Sequence, residues 1–225
     1  MKKDVYRLLG LGAVLVAAFA VAAFLYSRDR RDERTAQIAS QTRLAERAPA
    51  DDTVFVRPHS RSLGPRDAKV TVVEFLDPEC ESCRAMYPMV KHLLGQREGR
   101  VRFVVRYMPL HPNSVYAAGA LEAAGEQGRY WEMLEALFRN QPEWGSHHHP
   151  RPELIPGYAR AVGLDMQAFE RFVSAGSHRK IVEADHADGR SLGVTGTPTF
   201  FVNGRLLERL GYEPLKALID EELAK

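Results

Sequence analysis

Cys80 and Cys83 are the only cysteines in the chain, and they stand three residues apart in Cys80-Glu81-Ser82-Cys83. At the start of a helix this spacing puts two sulfurs one turn apart, within reach of a single disulfide. Backbone N–H groups at a helix N-terminus stabilise an anion, so Cys80 is expected to be partly thiolate. A thiolate attacks a disulfide, a mixed disulfide forms, and the second thiol resolves it. Rival chemistries fit less well. Haem attachment needs a His directly after the second Cys, and Arg84 stands there. A structural zinc site needs four ligands, and His147-His148-His149, the nearest cluster, is remote in sequence. A metal-binding pair and a static disulfide remain as competing readings. No phosphate-binding glycine loop, Ser/His/Asp arrangement or H-E-x-x-H pattern is present.

The elements around the pair follow from patterning. Lys69–Leu76, KVTVVEFL, is rich in β-branched residues and reads as a buried strand, broken by Asp77-Pro78. A helical pattern begins at Cys80, with Met86, Met89, Val90, Leu93 and Leu94 on one face and Pro88 expected to kink it. Val101–Tyr107 is a second strand, so the unit is β-α-β with parallel strands. About five helical segments follow, with Asp165 placed as an N-cap. Thr199–Leu207 reads as a hairpin turning at Asn203-Gly204, and Glu213–Ala224 as a last amphipathic helix.

Composition narrows the class. The 225 residues carry 31 Lys+Arg against 29 Asp+Glu, a formal net charge of +2, which gives no basic footprint for nucleic acid. Hydrophobic residues make up 45% and charged residues 27%, which excludes wholesale disorder and a multi-span membrane protein. Two cysteines cannot form a disulfide framework.

Leu8–Tyr26 is an uncharged apolar run of 19 residues preceded by Lys2, Lys3 and Arg7. It matches the roughly 30 Å hydrocarbon core better than the apolar region of a cleaved signal, typically about 7–15 residues. An uncleaved anchor is therefore expected over 1–26, with signal-peptide cleavage as the alternative. Arginines flank its far end too, so charge alone does not set the orientation. The thiol pair places the domain in an oxidising compartment. Residues 27–52 read as a polar stalk of mixed charge.

Several motifs together resemble the thioredoxin superfamily. They are Val72-Val73-Glu74-Phe75, the Cys80–Cys83 pair, Pro88, and Gly196-Thr197-Pro198-Thr199-Phe200. The helical block, Pro109-Leu110-His111-Pro112-Asn113-Ser114 and Val194-Thr195-Gly196-Thr197-Pro198 resemble its DsbA-like branch. The resemblance implies an α/β thioredoxin fold over 53–225 with a helical insertion at about 112–192, preceded by an N-terminal transmembrane helix. It implies a thiol-disulfide oxidoreductase on the periplasmic or extracytoplasmic face of the inner membrane. Its partners would be proteins bearing thiols or disulfides and a membrane or soluble redox partner. Cys80 would be the nucleophile and Cys83 the resolving thiol, with Glu74 relaying protons. Thr197-Pro198 would be a cis-proline loop that contacts substrate backbone. No metal or organic cofactor is implied; the Cys80–Cys83 disulfide is itself the redox centre.

One departure concerns direction. Glu79 and Glu81 flank Cys80, and nearby carboxylates disfavour a thiolate. They are expected to raise the Cys80 pKa and make the couple less oxidising. Thr197 before the proline also resembles isomerase and reductase members. Oxidase, reductase and isomerase all stay open at this point, as does a tethered non-catalytic thioredoxin-like chaperone or metal-binding module.

Overall fold

Alternating β-branched and aromatic residues build the centre of the sheet, and the order of the chain builds what covers it. The computed structural model describes residues 54–225, so the expected anchor (1–26) and the whole of the stalk (27–52) lie outside the described residues. Among the described residues no helix is long and apolar enough to cross a membrane. The strands are β1 (Arg61–Leu63), β2 (Val70–Leu76), β3 (Val101–Tyr107), β4 (Thr199–Val202) and β5 (Arg205–Leu206). The helices are α1 (Glu81–Gly95), α2 (Ser114–Gly125), α3 (Tyr130–Trp144), α4 (Ile155–Ala161), α5 (Met166–Ala175), α6 (His178–Ser191) and α7 (Tyr212–Ala224).

The sheet order is β1-β3-β2-β4-β5. β2 and β3 are parallel and joined through α1, as the β-α-β reading requires. β1 runs antiparallel to β3, β4 antiparallel to β2, and β5 antiparallel to β4. The β4–β5 turn has Asn203 at φ 48° and Gly204 at φ 79°, the left-handed pair that a two-residue hairpin needs. β1 is absent from the sequence reading. Its three residues are half-buried or exposed and carry no apolar run, so they pair only because β3 offers an edge.

Side chains of a strand alternate between faces. Val70, Val72 and Leu76 enter the larger core with α1, α2, α3 and α7, whereas Val73 and Phe75 enter a smaller one with Phe55, Val104, Met108 and Phe201. The same alternation puts Glu74 on the Val72 face, toward α1 and the thiols. α6 closes on the other face at Gly189, where a Cβ would lie 3.0 Å from the Phe75 ring. The helical insertion is a block of five α-helices, α2 to α6, plus a short 3-10 turn at Pro152–Leu154. Asp165 caps α5, its Oδ1 accepting from the Ala168 N–H at 3.0 Å. α1 runs through Pro88 without ending.

Candidate functional site

The site forms where β2 ends and α1 begins. Asp77-Pro78 stops the strand, and Cys80 becomes the N-cap of α1 with an extended backbone (φ −75°, ψ 123°). Its side chain therefore sits at the first turn of α1, without making a capping hydrogen bond to an N–H there. Cys80 is 8% exposed and Cys83 is fully buried, and both are free thiols. From the neighbouring strand, the loop before β4 brings in Thr197, whose carbonyl oxygen lies 3.3 Å from Cys80 Sγ. The Thr197–Pro198 peptide bond is cis. Glu74 lies on β2 beneath the pair, fully buried, and neither carboxyl oxygen meets a hydrogen-bond donor. Five residues singled out in the sequence, Glu74, Cys80, Cys83, Thr197 and Pro198, thus converge from β2, α1 and the loop leading into β4.

The two thiols are strongly polarised. Hydrogen bonding from Cys83 lowers the Cys80 pKa most; burial opposes this, and Thr197 and the backbone N–H groups of Cys83 and Ser82 lower it further, to about 5. Burial pushes the Cys83 thiol well above its ordinary value, and the hydrogen bond to Cys80 and the charges of Glu74 and Cys80 push the same way. Burial, and then the Cys80 charge, raise Glu74 to about 8. The site can therefore hold a thiolate at Cys80, a thiol at Cys83 and a carboxyl that titrates near neutrality.

The expected effect of the flanking acids is overturned. Glu79 does not face the thiolate. It is buried, and its carboxylate accepts from the Asn113 backbone N–H at 2.7 Å and from Asn113 Nδ2 at 2.8 Å, at the start of α2. Glu81 turns into solvent, with its side chain 57% exposed, and pairs with His147 at 3.2 Å. One acid is neutralised by donors and the other is screened by water, so neither keeps Cys80 protonated.

The loop's remaining supports were not legible as such. Asp77 is fully buried and accepts from the Glu79 and Leu110 N–H groups, His111 Nδ1 and Ser114 Oγ at 2.5–2.8 Å. The Pro109–Ser114 segment, read as a family pattern, is thus the strap that holds the loop leading to Cys80. Gln141 of α3 also reaches this loop, and no local signal in the sequence marks it. Among the described residues no group of three or more His, Cys, Asp or Glu is arranged to hold a metal ion; His147 is drawn to Glu81 instead.

A family model described as Thioredoxin matches residues 57–221. The chain belongs to the thioredoxin family. Among solved structures, it is similar to a thioredoxin-like oxidoreductase from Silicibacter pomeroyi DSS-3. The TM-score is 0.66 at 30% identity, over 76% of this chain and 96% of that one. It is similar to oxidised BdbD from Bacillus subtilis, with TM-score 0.65 and 27% identity over 74% and 94% of the two chains. The thiol-disulfide exchange protein alpha-DsbA2 from Wolbachia pipientis shares the fold, with TM-score 0.69 and 21% identity over 83% and 97%. Among curated proteins, the chain is 44% identical over 154 residues to the Na(+)/H(+) antiporter NhaA 1 of Salinispora arenicola, covering 66% of this chain and 22% of that protein. With the NhaA antiporter of Herminiimonas arsenicoxydans the identity is 39% over 144 residues, covering 64% and 22%. The chain spans less than a quarter of the length of these curated relatives.

Proposed function

We propose that this DsbA-like thioredoxin-fold enzyme exchanges disulfides with cysteines of other proteins outside the cytoplasm, and that it acts toward them as an oxidant. The observation that carries this reading is the asymmetry of the pair: Cys80 lowered to about 5 and Cys83 raised by burial. A stabilised thiolate favours the reduced protein, which makes the disulfide form a better oxidant. In the oxidising direction a substrate thiolate attacks Cys80 Sγ of the Cys80–Cys83 disulfide. One S–S bond breaks, a mixed disulfide forms, and Cys83 leaves as a thiolate that takes a proton from Glu74. A second substrate thiolate then displaces Cys80. The substrate is oxidised by two electrons and the pair is reduced by two.

Glu74 suits the relay because its charge answers to Cys80. While Cys80 is in a mixed disulfide it carries no charge, so the Coulomb component that helps hold Glu74 protonated disappears. In the reverse direction the carboxylate is then ready to accept the Cys83 proton. Thr197, beside Cys80, offers its backbone to an extended substrate segment.

Residues 1–26 would tether the domain to the inner membrane and 27–52 would space it from the surface, with 53–225 as the catalytic domain. The curated relatives support a membrane-proximal reading, because the matched region belongs to chains named as antiporters. A second protein must reoxidise the pair after each turnover, since no other redox group is needed at the site.

Equilibration in a glutathione buffer tests the direction. A potential above about −200 mV is expected, on the oxidising side of thioredoxin at about −270 mV. A value near the thioredoxin end would make the protein a reductase. A Cys83→Ser variant should accumulate a mixed disulfide through Cys80 with a thiol-bearing protein. A variant that traps nothing, together with a wild-type pair that does not exchange, would remove the oxidoreductase reading.

A further inference from the structure

The geometry points to Gln141 as a positioning residue for the nucleophile, through which the helical insertion sets the reactivity of Cys80. Gln141 lies on α3, 61 residues from Cys80, and is 1% exposed. Its Nε2 donates to the carbonyl oxygens of Pro78 at 2.9 Å and Cys80 at 3.1 Å. Its Oε1 accepts from Arg84 Nε at 3.0 Å.

Arg84 fixes which way the amide faces. A guanidinium donates and never accepts, so the carbonyl end of Gln141 must turn to Arg84. The two hydrogens of Nε2 are then left for the two loop carbonyls. The Cys80 carbonyl also accepts the Arg84 backbone N–H at 3.1 Å, the first hydrogen bond of α1. Both of its lone pairs are therefore used, one by the helix and one by the insertion. Pinning the Pro78 and Cys80 carbonyls fixes the backbone of Cys80 in its extended N-cap state. That conformation sets where Sγ lies at the start of α1, 3.3 Å from the Thr197 carbonyl oxygen and beside the backbone of Ser82 and Cys83, whose N–H groups lower its pKa.

The consequence is specific. Without the amide, the Pro78 and Cys80 carbonyls lose a buried donor, the turn relaxes, and the thiolate is less well held. Gln141→Leu removes both donors at similar volume. Gln141→Glu keeps the shape but replaces the donating end with an oxygen. In both variants the Cys80 thiolate titration, read by ultraviolet absorbance on the reduced full-length protein, should move up by about one pH unit. The exchange equilibrium with glutathione should move about tenfold toward the disulfide form, because the reduced form has lost that stabilisation.

Trp144→Phe separates positioning from general weakening. It removes the Trp144 Nε1 bond to the Leu137 carbonyl within the same helix and leaves the Gln141 bonds to Pro78 and Cys80 in place. It should lower the melting temperature and leave the Cys80 midpoint unchanged. A midpoint that stays at the wild-type value in a folded Gln141→Leu or Gln141→Glu variant overturns the proposal. So does one that moves equally in Trp144→Phe. The inference deepens the oxidoreductase reading and rests on it for its functional meaning. The titration itself needs no substrate, so a failure of either idea is visible separately.

Discussion

Glu74 and Asp185 are both carboxyl side chains with almost no exposed surface, and the protein treats them in opposite ways. Asp185 is fully partnered: Oδ1 accepts from Arg106 Nε and His59 Nε2, each at 2.7 Å, and Oδ2 accepts the Tyr107 N–H at 2.9 Å. Arg106, fully buried, also donates to Asp188 at 2.7 Å and to the Val54 carbonyl at 2.8 Å, while Arg57 holds both Asp188 oxygens. Burial opposes ionisation of Asp188, yet the bonds from Arg57 and Arg106 hold its carboxyl below the ordinary range. This network ties α6 to β3 and to the segment before β1. Glu74 has no donor at all. The first region uses buried charge to join elements, and the second leaves a carboxyl uncompensated beside the thiol pair, where we propose that it relays protons. A carboxylate in an ion network and an orphan acid are told apart by their partners, not by their depth.

Breaking the anchored side should cost most. Arg106→Met takes the buried guanidinium from buried Asp185 and half-buried Asp188, and removing one partner of a buried ion pair typically costs about 3–5 kcal/mol. Urea unfolding at pH 7 should show a loss of this size. A loss below about 1 kcal/mol would mean that the network contributes little and that the contrast with Glu74 is not energetic.

Relieving the orphan side should act in the opposite direction. The Glu74 carboxyl titrates at about 8 in the folded protein against an ordinary 4.5. Below 4.5 both the folded and the unfolded chain hold the proton, so the group contributes nothing. As pH rises through that value the unfolded state releases the proton first, and stability falls until the folded group ionises near 8. Glu74→Leu should therefore be more stable than wild type by about 3 kcal/mol at pH 7, with little difference at pH 4. Its thiol-disulfide exchange should slow, because the proposed proton relay to Cys83 is lost. Oxidising the wild-type pair removes the Cys80 charge and should lower the Glu74 midpoint, which carboxyl-resolved NMR titration of the two redox forms would read.

The sequence reading reaches as far as local patterns extend. β2, β3, the Asn203-Gly204 turn and the Asp165 cap are written in spacing and residue type, and the structure carries them within a residue or two. The convergence of Glu74 and Thr197 on Cys80 came from resemblance to a family, because nothing local joins residues so far apart. β1 escaped because a three-residue edge strand has no period to detect. The destination of Arg106 was illegible for a similar reason. In VRFVVRY it reads only as a charge in a strand, and its partner Asp185 lies 79 residues further on. Glu79 and Glu81 are where sequence misleads, because closeness in the chain to Cys80 is not electrostatic closeness. Charge acts through side-chain direction, and Glu79 points at Asn113.

That last point gives the smallest expected effect and the finest test of the contrast. Asn113→Ala removes the Nδ2 donor to Glu79 Oε1 and keeps the backbone N–H donor to Oε2. Losing one hydrogen bond to a charged group should cost about 1–2 kcal/mol. It should also free the carboxylate to turn partly toward the start of α1, where its charge opposes the thiolate. The Cys80 midpoint should then rise from about 5 by less than Gln141→Leu raises it. If stability drops and the midpoint holds, the backbone N–H alone is enough to keep Glu79 averted, and the acid beside the nucleophile belongs with Asp185, among the carboxylates that anchor.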